Sequence, residues 1–436
     1  MSEGVGLSEP GCVTFSISFN GLNFDFSLAM LYEFGQPITF VRYSIGSPPI
    51  QNRFQYSSLS PLSVKILALN SFHGGSHRAF LQGWIAHSRH QFDLRTMSGH
   101  HWKWRMRHSA LHLANELAKE TSFGNYDLLF CTDMLNLAEF RGLAPPHLAR
   151  LPAVVYFHEN QLTYPVKQEE ERDLHFAYTN FLTAHAAESV WFNSDFHRLE
   201  FLNALEEWLP KMPDGRGLKH LLPSIRKKSC VHYPGLTLPK EPPRPRANAT
   251  KPLHLLWVSR WEHDKGPEIF FAALSLLKQR RVPFRLSLLG ESYPQSPTIF
   301  DHARSQFSEE ITHWGYLPDY SEYQRTLGDA DIVVSTARHE FFGIAVLEAV
   351  ASGCRPLVPH ALAYPEVLPP DASFFHDNHP ETIADRLEKY AESLSQSRAG
   401  DNMLRQGWYR FVARYGWESV SPQMDEAVTE IVDCHK

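Results

Sequence analysis

The stretch HEFFGIAVLEAVASGCRP, residues 339–356, predicts how this chain folds and where it binds a ligand. Its apolar spacing predicts a helix over residues 341–352 that ends at Gly353, a typical helix C-cap residue. Glu340 precedes this helix and Glu348 lies inside it, about 12 Å further along the axis. Since the start of a helix offers unpaired backbone N–H groups to phosphate, one helix can hold sugar, diphosphate and ribose together.

A second stretch, LHLLWVSRWEHDKGPE at residues 253–268, complements the first. An apolar run over residues 253–259 predicts a buried strand, and an amphipathic pattern over residues 268–278 predicts the helix that follows. Arg260 and Lys265 then lie at the carboxyl end of a strand, where open α/β sheets bind ligands. Two cations there can neutralise a diphosphate, although a solvated loop with ordinary ion pairs is an alternative.

The first stretch supplies the other residues that are expected to contact the sugar, the diphosphate and the ribose. Glu340 is expected to hold sugar hydroxyls and Glu348 to hold the ribose. Burial of both acids in a core is the less favoured interpretation, because unpaired acids are seldom buried. Gly343 allows close approach of the backbone. The donor is therefore expected to contact Phe342, Gly343 and Ile344.

The composition argues against several classes of protein. The 436 residues carry 42 basic and 48 acidic side chains, a net charge of −6, so the bulk charge does not indicate nucleic-acid binding. No run of about 18 apolar residues occurs, so we expect no membrane span, and we see no secretory signal. The 5 cysteines are scattered without metal-site spacing, which favours a reducing compartment and a cytoplasmic location.

Strands and helices alternate along most of the chain. This alternation predicts an α/β fold in which two Rossmann-like domains with parallel sheets face a central cleft. The first clear strand is VKILALN at residues 64–70, and residues 1–62 form an extension for which disorder is one interpretation. The predicted domains are residues 63–235 and 253–405, joined by a Pro-rich linker at residues 236–252. Further strands are predicted at residues 92–97, 127–132, 153–157, 189–193, 230–233, 285–289, 311–314, 331–336 and 355–358.

Two loops of the first domain carry candidate site residues. Gly74 and Gly75 lie between a strand and a helix, where glycine lets the backbone approach an anion or a sugar; a plain turn is the alternative. His158 and Asn160 follow the strand predicted at residues 153–157. His158 is expected to contact the donor sugar or to move a proton, and a structural histidine is the alternative. Weaker candidates after other strands are Asp133, Asn136, Asn193 and Ser194.

The segment HHWKWRMRH, residues 100–108, mixes cations with tryptophan and histidine. Such a mixture suits phosphate contacts together with stacking on unpaired bases. A loop that buries its tryptophans and solvates its charges is the alternative. The residues expected to bind the acceptor are His100, Trp102, Lys103, Trp104, Arg105, Arg107 and, from the loop after the 153–157 strand, Asn160.

Several of these stretches resemble known motifs. HEFFGIAVLEAVASGCRP resembles the E-x7-E motif of retaining glycosyltransferases of family 4, and SRWEHDKGPE, residues 259–268, resembles their Arg/Lys diphosphate motif. Three more stretches are FHGGSH at residues 72–77, HHWKWRMRHSAL at residues 100–111 and YFHENQLTYPV at residues 156–166. Taken with SRWEHDKGPE, they resemble the tRNA-queuosine α-mannosyltransferase family.

The resemblance implies a nucleotide-sugar donor, GDP-mannose, and a tRNA acceptor that carries queuosine in its anticodon loop. It implies the two-domain GT-B fold, whose C-terminal helix, here residues 406–436, crosses back to the first domain. It also implies retention of the anomeric configuration, with His158 and Glu340 at the reacting sugar. Because Arg260 and Lys265 take the place of a cation, we expect no metal and no cofactor besides the donor.

Three other functions are consistent with parts of the sequence. One is a family 4 glycosyltransferase that acts on a lipid or polysaccharide acceptor. A second is a nucleotide-sugar epimerase, which shares the architecture but needs no acceptor. A third is an RNA-binding module without chemistry, which the presence of Arg260, Lys265, Glu340 and Glu348 disfavours.

Overall fold

A computed structural model describes residues 12–19, 22–33, 36–44, 63–120, 124–166, 172–243, 252–293, 296–396 and 398–436. The strands are β1 Cys12–Phe19, β2 Leu22–Glu33, β3 Gln36–Ser44, β4 Lys65–His73, β5 Gln91–Ser98, β6 Leu128–Thr132, β7 Ala153–Phe157, β8 Ser189–Phe192, β9 Ser229–Val231, β10 Leu253–Val258, β11 Phe284–Leu289, β12 Ile311–Gly315, β13 Ile332–Val334, β14 Arg355–Pro359 and β15 Phe375–His376.

The helices alternate with these strands. They are α1 Gly75–His87, α2 Trp102–Ala118, α3 Leu137–Leu143, α4 Pro146–Ala149, α5 Leu174–Ala186, α6 Asp195–Trp208, α7 Leu222–Lys227, α8 Pro267–Gln279, α9 Ile299–Gln306, α10 Tyr320–Asp329, α11 Ile344–Ala351, α12 Tyr364–Val367, α13 Pro380–Gln396, α14 Arg398–Val412 and α15 Trp417–Asp433. Among the described residues, no helix combines the length and the apolar character that a membrane crossing requires.

The N-terminal segment forms a unit of its own, residues 1–61. Strands β1, β2 and β3 pair antiparallel in that order, with Cys12 opposite Ala29 and Glu33 opposite Gln36. The sequence predicts no fold for this segment and leaves disorder as one interpretation, whereas its described residues form a three-stranded sheet. The rest of the segment lies outside the described residues.

The first large sheet has six parallel strands in the order β5-β4-β6-β7-β8-β9. Its central strands are continuous apolar runs, as expected for strands covered by helices on both faces. Every residue of β6 and β7 is buried. Because β4 is followed by Gly74 and β7 by His158, both predicted loops lie at the carboxyl edge of this sheet.

The second sheet also has six parallel strands, in the order β12-β11-β10-β13-β14-β15. This is the strand order of dinucleotide-binding Rossmann folds. Chain winding reverses between β10 and β13, and ligands bind in the crevice outside the carboxyl ends of such strands. Two parallel sheets with helices confirm the predicted α/β fold.

The helix that follows β13 begins later than predicted. We expected it over residues 341–352, but α11 starts at Ile344. Gly343 has φ 90°, in the left-handed region, so it caps the helix instead of continuing it. A Cβ atom added at this position would also lie 3.0 Å from the Tyr364 ring. Glu340 therefore lies in the preceding loop, and only part of its path to Glu348 is helical.

The C-terminal helix α15 crosses back and packs against the first sheet, which confirms that part of the predicted fold. Trp417 and Met424 join the buried cluster that contains Trp84. Asp425 accepts hydrogen bonds from Trp84 Nε1 at 2.9 Å and from Ser88 Oγ at 2.7 Å. The helix is thus fixed to the first domain by both apolar contacts and a buried carboxylate.

Candidate active site

The loops after β10 and β13 meet at the winding reversal of the second sheet. Lys265, Glu340 and Gly343 line one small cavity there, with a volume of about 40 Å³. Lys265 Nζ lies 3.4 Å from Glu340 Oε2 and donates to the His339 carbonyl at 2.9 Å. The two halves of the predicted donor site are therefore in direct contact.

Lys265 is an almost fully buried cation, with 8% of its surface exposed. Burial disfavours its charge, but the carboxylates of Glu340 and Asp264 outweigh this and raise the pKa of the ammonium group. Its Nζ lies 3.1 Å from Asp264 Oδ2. The ammonium is therefore charged at neutral pH and has a fixed position beside the cavity.

Glu340 is oriented by the loop that contains it. Its Oε1 accepts a hydrogen bond from the Gly343 backbone N–H at 3.1 Å, while its Oε2 faces Lys265. The Gly343 amide, which is predicted to contact the donor, therefore donates to Glu340 in this structure. The next amides, from Ile344 onward, form the N-terminus of α11.

Arg260 extends towards the first domain. Its Nη2 donates to the Tyr164 hydroxyl at 3.2 Å and lies 3.2 Å from Glu262 Oε2. Half of the side chain is exposed, at 49%. A guanidinium at the edge of the crevice can reach a diphosphate without the desolvation that Lys265 has already undergone.

Glu348 lies on α11 and does not line the cavity. Its Oε2 accepts from the Tyr323 hydroxyl at 2.8 Å. Burial raises the pKa of its carboxyl to about 7, partly offset by that hydrogen bond. The predicted ribose contact stays a prediction, with a carboxyl already held in one orientation by α10.

Phe342 and Ile344 differ in what they can offer a donor. The Phe342 side chain is 2% exposed and packs against Tyr233 and Tyr415, so only its backbone can face the crevice. Ile344 is the first residue of α11. The predicted Phe342 contact is therefore expected to use the backbone, and Ile344 offers its backbone N–H at the start of α11.

The two glycines after β4 suit their positions for different physical reasons. Added Cβ on Gly74 would lie 3.0 Å from the Gly99 Cα, so the loops after β4 and β5 pack backbone against backbone. Gly75 starts α1 with φ 48° and has open space around its Cα. Gly74 brings the start of α2 close to this loop, and Gly75 leaves room above it.

His158 is held firmly at the carboxyl end of β7. Its backbone N–H donates to Asp133 Oδ1 at 2.9 Å, and its carbonyl accepts from Asn193 Nδ2 at 2.9 Å. Its ring lies 4.0 Å from that of His77. Burial, followed by the neighbouring His77 and His197, lowers its pKa well below the usual value, so the imidazole is neutral.

Asn160 was expected to contact the acceptor, but its side chain has another role. Oδ1 accepts from the backbone N–H groups of Leu162, at 3.1 Å, and Thr163, at 2.9 Å. The residue is fully buried. An asparagine that bonds to the backbone two residues on stabilises a turn, so Asn160 shapes this loop.

The basic and aromatic segment forms the exposed start of α2. Trp104 is 59% exposed and stacks on His108, with 5.1 Å between ring centroids. Trp102 is partly buried, 5.2 Å from the ring of Phe176, and Arg107 lies 5.0 Å over the same ring. The two tryptophans are therefore not equivalent.

The cations of this segment also differ. Lys103 is exposed, with its ammonium 5.6 Å over the Trp102 ring. Arg105 donates to the backbone carbonyl and the hydroxyl of Ser98, which ties α2 to the end of β5. His100 is exposed just before the helix. Lys103 and Arg107 are the cations freest to reach a ligand.

Three residues that join the two domains across the cleft, Tyr164, His197 and Glu366, were not predicted as site residues. Tyr164 lies inside YFHENQLTYPV, and its ring packs 5.1 Å from that of His339. His197 stacks on Phe341 at 3.7 Å. Glu366 accepts from the first backbone N–H groups of α6, at 2.8 and 3.0 Å. Only Tyr164 lies in a stretch that the sequence singled out, and all three contacts join residues more than 100 positions apart.

Two family models match the chain. Residues 65–236 match the tRNA-queuosine alpha-mannosyltransferase N-terminal model, and residues 240–402 match the model of glycosyl transferases group 1. The chain is also 38% identical over 313 residues to the tRNA-queuosine alpha-mannosyltransferase of Drosophila melanogaster. That match covers 70% of this chain and 81% of the Drosophila protein.

The chain belongs to the tRNA-queuosine α-mannosyltransferase family. The resemblance indicated by four stretches of sequence is confirmed, and the chain is a glycosyltransferase. This family member also matches a GDP-mannose-dependent phosphatidylinositol dimannoside mannosyltransferase from Mycobacterium tuberculosis. The identity there is 28%, over 36% of this chain and 42% of the bacterial one.

Two solved structures share the fold of this family member. A sucrose-phosphate synthase from Thermosynechococcus elongatus aligns with a TM-score of 0.65 and 16% identity, over 85% of this chain and all of that one. The Anabaena protein HepE, in complex with UDP and glucose, aligns with a TM-score of 0.57 and 14% identity, over 84% of this chain. At these identities the likeness concerns the fold alone.

Proposed function

We propose that this chain transfers mannose from GDP-mannose to the queuosine nucleoside in the anticodon loop of tRNA, with retention of configuration. The observation that carries the proposal is the contact of Lys265 with Glu340 at the winding reversal of the second sheet. The Drosophila relative supports the choice of acceptor. We further propose that the donor is the only small molecule required and that the reaction takes place in the cytoplasm.

The cations act on the departing diphosphate. As the bond between the anomeric carbon and the phosphate oxygen breaks, negative charge builds up on GDP. Lys265, already charged and fixed, stabilises that charge, with Arg260 and the N-terminal amides of α11 beside it. Because these groups need little reorganisation, their stabilisation acts on the transition state.

The acidic residues position the donor. Glu340 accepts from hydroxyls of the sugar, and Glu348 accepts from the ribose. The neutral His158 faces the reacting carbon from the first domain, close to the glycine loop of Gly74 and Gly75. The acceptor hydroxyl then attacks from the face that the diphosphate leaves and gives its proton to the departing phosphate oxygen, and this course retains the configuration.

The exposed start of α2 supplies the acceptor surface. Trp104 offers a ring face for an unpaired base, and Lys103 and Arg107 are placed for phosphate contacts. The loop before α2 packs against Gly74. An anticodon loop bound there would therefore lie beside the glycine loop that borders the reacting sugar.

The test is to incubate the protein with GDP-mannose and either queuosine-containing or queuosine-free tRNA, and to weigh the digested nucleosides. The expected product is queuosine heavier by one hexose, with no change in queuosine-free tRNA. Transfer to both tRNAs, or to neither, would contradict the proposal. Product analysis with GDP-mannose alone separates an epimerase, which would return an isomeric nucleotide sugar.

A further inference from the structure

Four imidazoles gather around the cleft between the two domains. They belong to His77, His158, His197 and His339, and each ring interacts electrostatically with the next. Among the described residues, none supplies a hydrogen-bond partner for one buried nitrogen of each ring: Nδ1 of His77 and Nε2 of the other three. Buried polar atoms without partners are rare and costly, and each requires an explanation.

The hydrogen bonds around Asn193 determine which nitrogen of His197 carries the proton. Asn193 contacts the His158 carbonyl at 2.9 Å, and a carbonyl can only accept, so the contacting atom is the amide nitrogen. The Asn193 oxygen therefore faces His197 Nδ1 at 2.8 Å and must accept from it. In a neutral ring the remaining nitrogen, Nε2, then carries a lone pair and no hydrogen.

His197 is neutral because of its surroundings. It is 0% exposed, and burial, followed by the neighbouring His339, lowers its pKa well below the usual value. Among the described residues, no carboxylate contacts the His197 ring, so nothing there stabilises an imidazolium. The neighbours of the ring are Asn193, Phe341 and the aromatic rings of β7 and β8. Nε2 is therefore a pure acceptor, and only a hydroxyl or an N–H group can satisfy it.

The position of the His197 ring indicates which molecule supplies the hydrogen bond to Nε2. His197 lies in the first turn of α6, and its ring stacks on Phe341 at 3.7 Å with 19° between the planes. Phe341 directly follows Glu340, which our proposed function places on the hydroxyls of the sugar. The ribose and the base lie beyond the other end of the diphosphate, towards Glu348. The transferred hexose is therefore the part of the donor that comes closest to His197.

We propose that His197 Nε2 accepts a hydrogen bond from a hydroxyl of the transferred hexose and that His197 thereby helps to determine sugar specificity. The inference rests on the proposed function. A site built to bond a hydroxyl rejects an analogue that lacks it, because the buried acceptor is then left without a partner. Asn193 is a positioning residue in this arrangement, since it fixes the tautomer that can accept.

The test is the variant His197→Phe, which keeps a flat ring against Phe341 and removes the acceptor nitrogen. Calorimetry should show GDP-mannose binding weakened by about 10-fold to 100-fold, the loss expected for a buried hydrogen bond. Binding of GDP, which has no hexose, should be unchanged. Equal weakening of GDP and GDP-mannose would overturn the inference, because it would indicate a structural role.

Deoxy analogues of GDP-mannose identify the hydroxyl. Wild-type protein should bind one of the 2-, 3-, 4- and 6-deoxy analogues more weakly than GDP-mannose. The factor should equal the loss of GDP-mannose affinity caused by His197→Phe. The variant should bind that analogue and GDP-mannose equally. Additive losses for every analogue would overturn the inference.

His90→Phe is the matched control. His90 is also buried, but both of its nitrogens have partners, the Val64 N–H at 3.2 Å and the Asp425 carbonyl at 2.9 Å. Losing this imidazole should lower the melting temperature and leave the preference for GDP-mannose over GDP unchanged. A loss of that preference in the control would overturn the assignment to His197.

Nitrogen NMR of the wild-type protein labelled at histidine gives a test that needs no variant. The His197 Nε2 signal should be that of a bare nitrogen and should move on addition of GDP-mannose but not of GDP. A protonated Nε2 in the protein without GDP-mannose would overturn the inference. If tRNA is mannosylated but none of these effects occurs, this inference alone fails; if GDP-mannose neither binds nor reacts, both proposals fail.

Discussion

At the scale of single residues, Lys265 is the most constrained part of the proposed donor site. It is a buried cation between two carboxylates, with its charge maintained by Glu340 and Asp264. A buried pair of this kind contributes little to stability compared with an apolar replacement, and loss of one partner leaves a charge unpaired. The position of Lys265 at this crevice is therefore better explained by ligand binding than by stability.

Lys265→Ala should lower kcat/KM for mannosyl transfer by about 100-fold or more, because one fixed group that stabilises developing charge is lost. Steady-state transfer assays measure this, with circular dichroism to verify the fold. Lys278→Ala is the control, since that exposed lysine pairs with Glu310 at 2.9 Å on the surface. Equal activity of the two variants would exclude Lys265 from the diphosphate site.

Glu348 should make donor binding depend on pH. Burial raises its pKa to about 7, so the carboxyl is mostly protonated below that pH and ionised above it. Only the ionised form accepts from both ribose hydroxyls, so affinity for GDP-mannose should rise between about pH 6 and about pH 8. GDP-mannose suits this titration because its diphosphate has no terminal phosphate to titrate in that range.

Tyr323→Phe and Glu348→Gln test the source of that dependence. The Tyr323 hydroxyl donates to Glu348 and lowers its pKa, so its removal should move the midpoint to higher pH. Glu348→Gln should abolish the pH dependence. A pH profile that is the same in all three proteins would remove Glu348 from the donor site.

At the scale of elements, the sequence predicted strands better than helix ends. Continuous apolar runs such as LLFCT at residues 128–132 are decided locally, and β7 was predicted with the bounds that it has, Ala153–Phe157. The start of α11 depended on the backbone conformation of Gly343, which an apolar spacing does not reveal. The motif was therefore recognised while its geometry was not.

Helix α2 separates the roles of its two tryptophans. Trp104→Ala should weaken tRNA binding by roughly 5-fold to 100-fold, the effect of losing one stacked base, and should not change GDP binding. Trp102→Ala should instead lower the melting temperature, because Trp102 packs against Phe176. Filter binding and thermal melting measure the two effects.

Leu143→Ala is the control for that experiment, because Leu143 is a large apolar residue that is 48% exposed on α3. It should bind tRNA as the wild type does. If Trp104→Ala also binds tRNA normally, or weakens GDP binding to the same degree, α2 is not the acceptor surface.

At the scale of the whole molecule, contacts across the cleft hold the domains together. Arg260 bonds to Tyr164, His197 stacks on Phe341, and Glu366 caps α6. The cavity beside Lys265 is about 40 Å³, whereas ligand sites usually measure about 300 Å³ or more. We therefore expect the donor to enter when these contacts open. The contacts themselves join segments far apart in the chain, so local sequence does not predict them.

Glu366→Gln should shift the protein towards the open form. The carboxylate accepts from two backbone N–H groups at the positive end of α6 and from the Tyr233 hydroxyl at 3.0 Å. A neutral amide interacts more weakly with that end, so the radius of gyration without donor should increase and GDP-mannose should reverse the change. Small-angle X-ray scattering measures both states.

Glu381→Gln is the control for domain opening, because Glu381 is exposed in the first turn of α13. Its scattering should match that of the wild type. Identical scattering of Glu366→Gln and wild type, with and without GDP-mannose, would show that the cap does not contribute to closure.

The account depends on one binding site, formed by the loops after β10 and β13. Its most direct test is a crystal structure of the protein with GDP-mannose. We predict a diphosphate between Lys265, Arg260 and the N-terminus of α11, with the sugar on Glu340 and the ribose on Glu348. A donor bound elsewhere, or a diphosphate that contacts neither cation, would contradict the account.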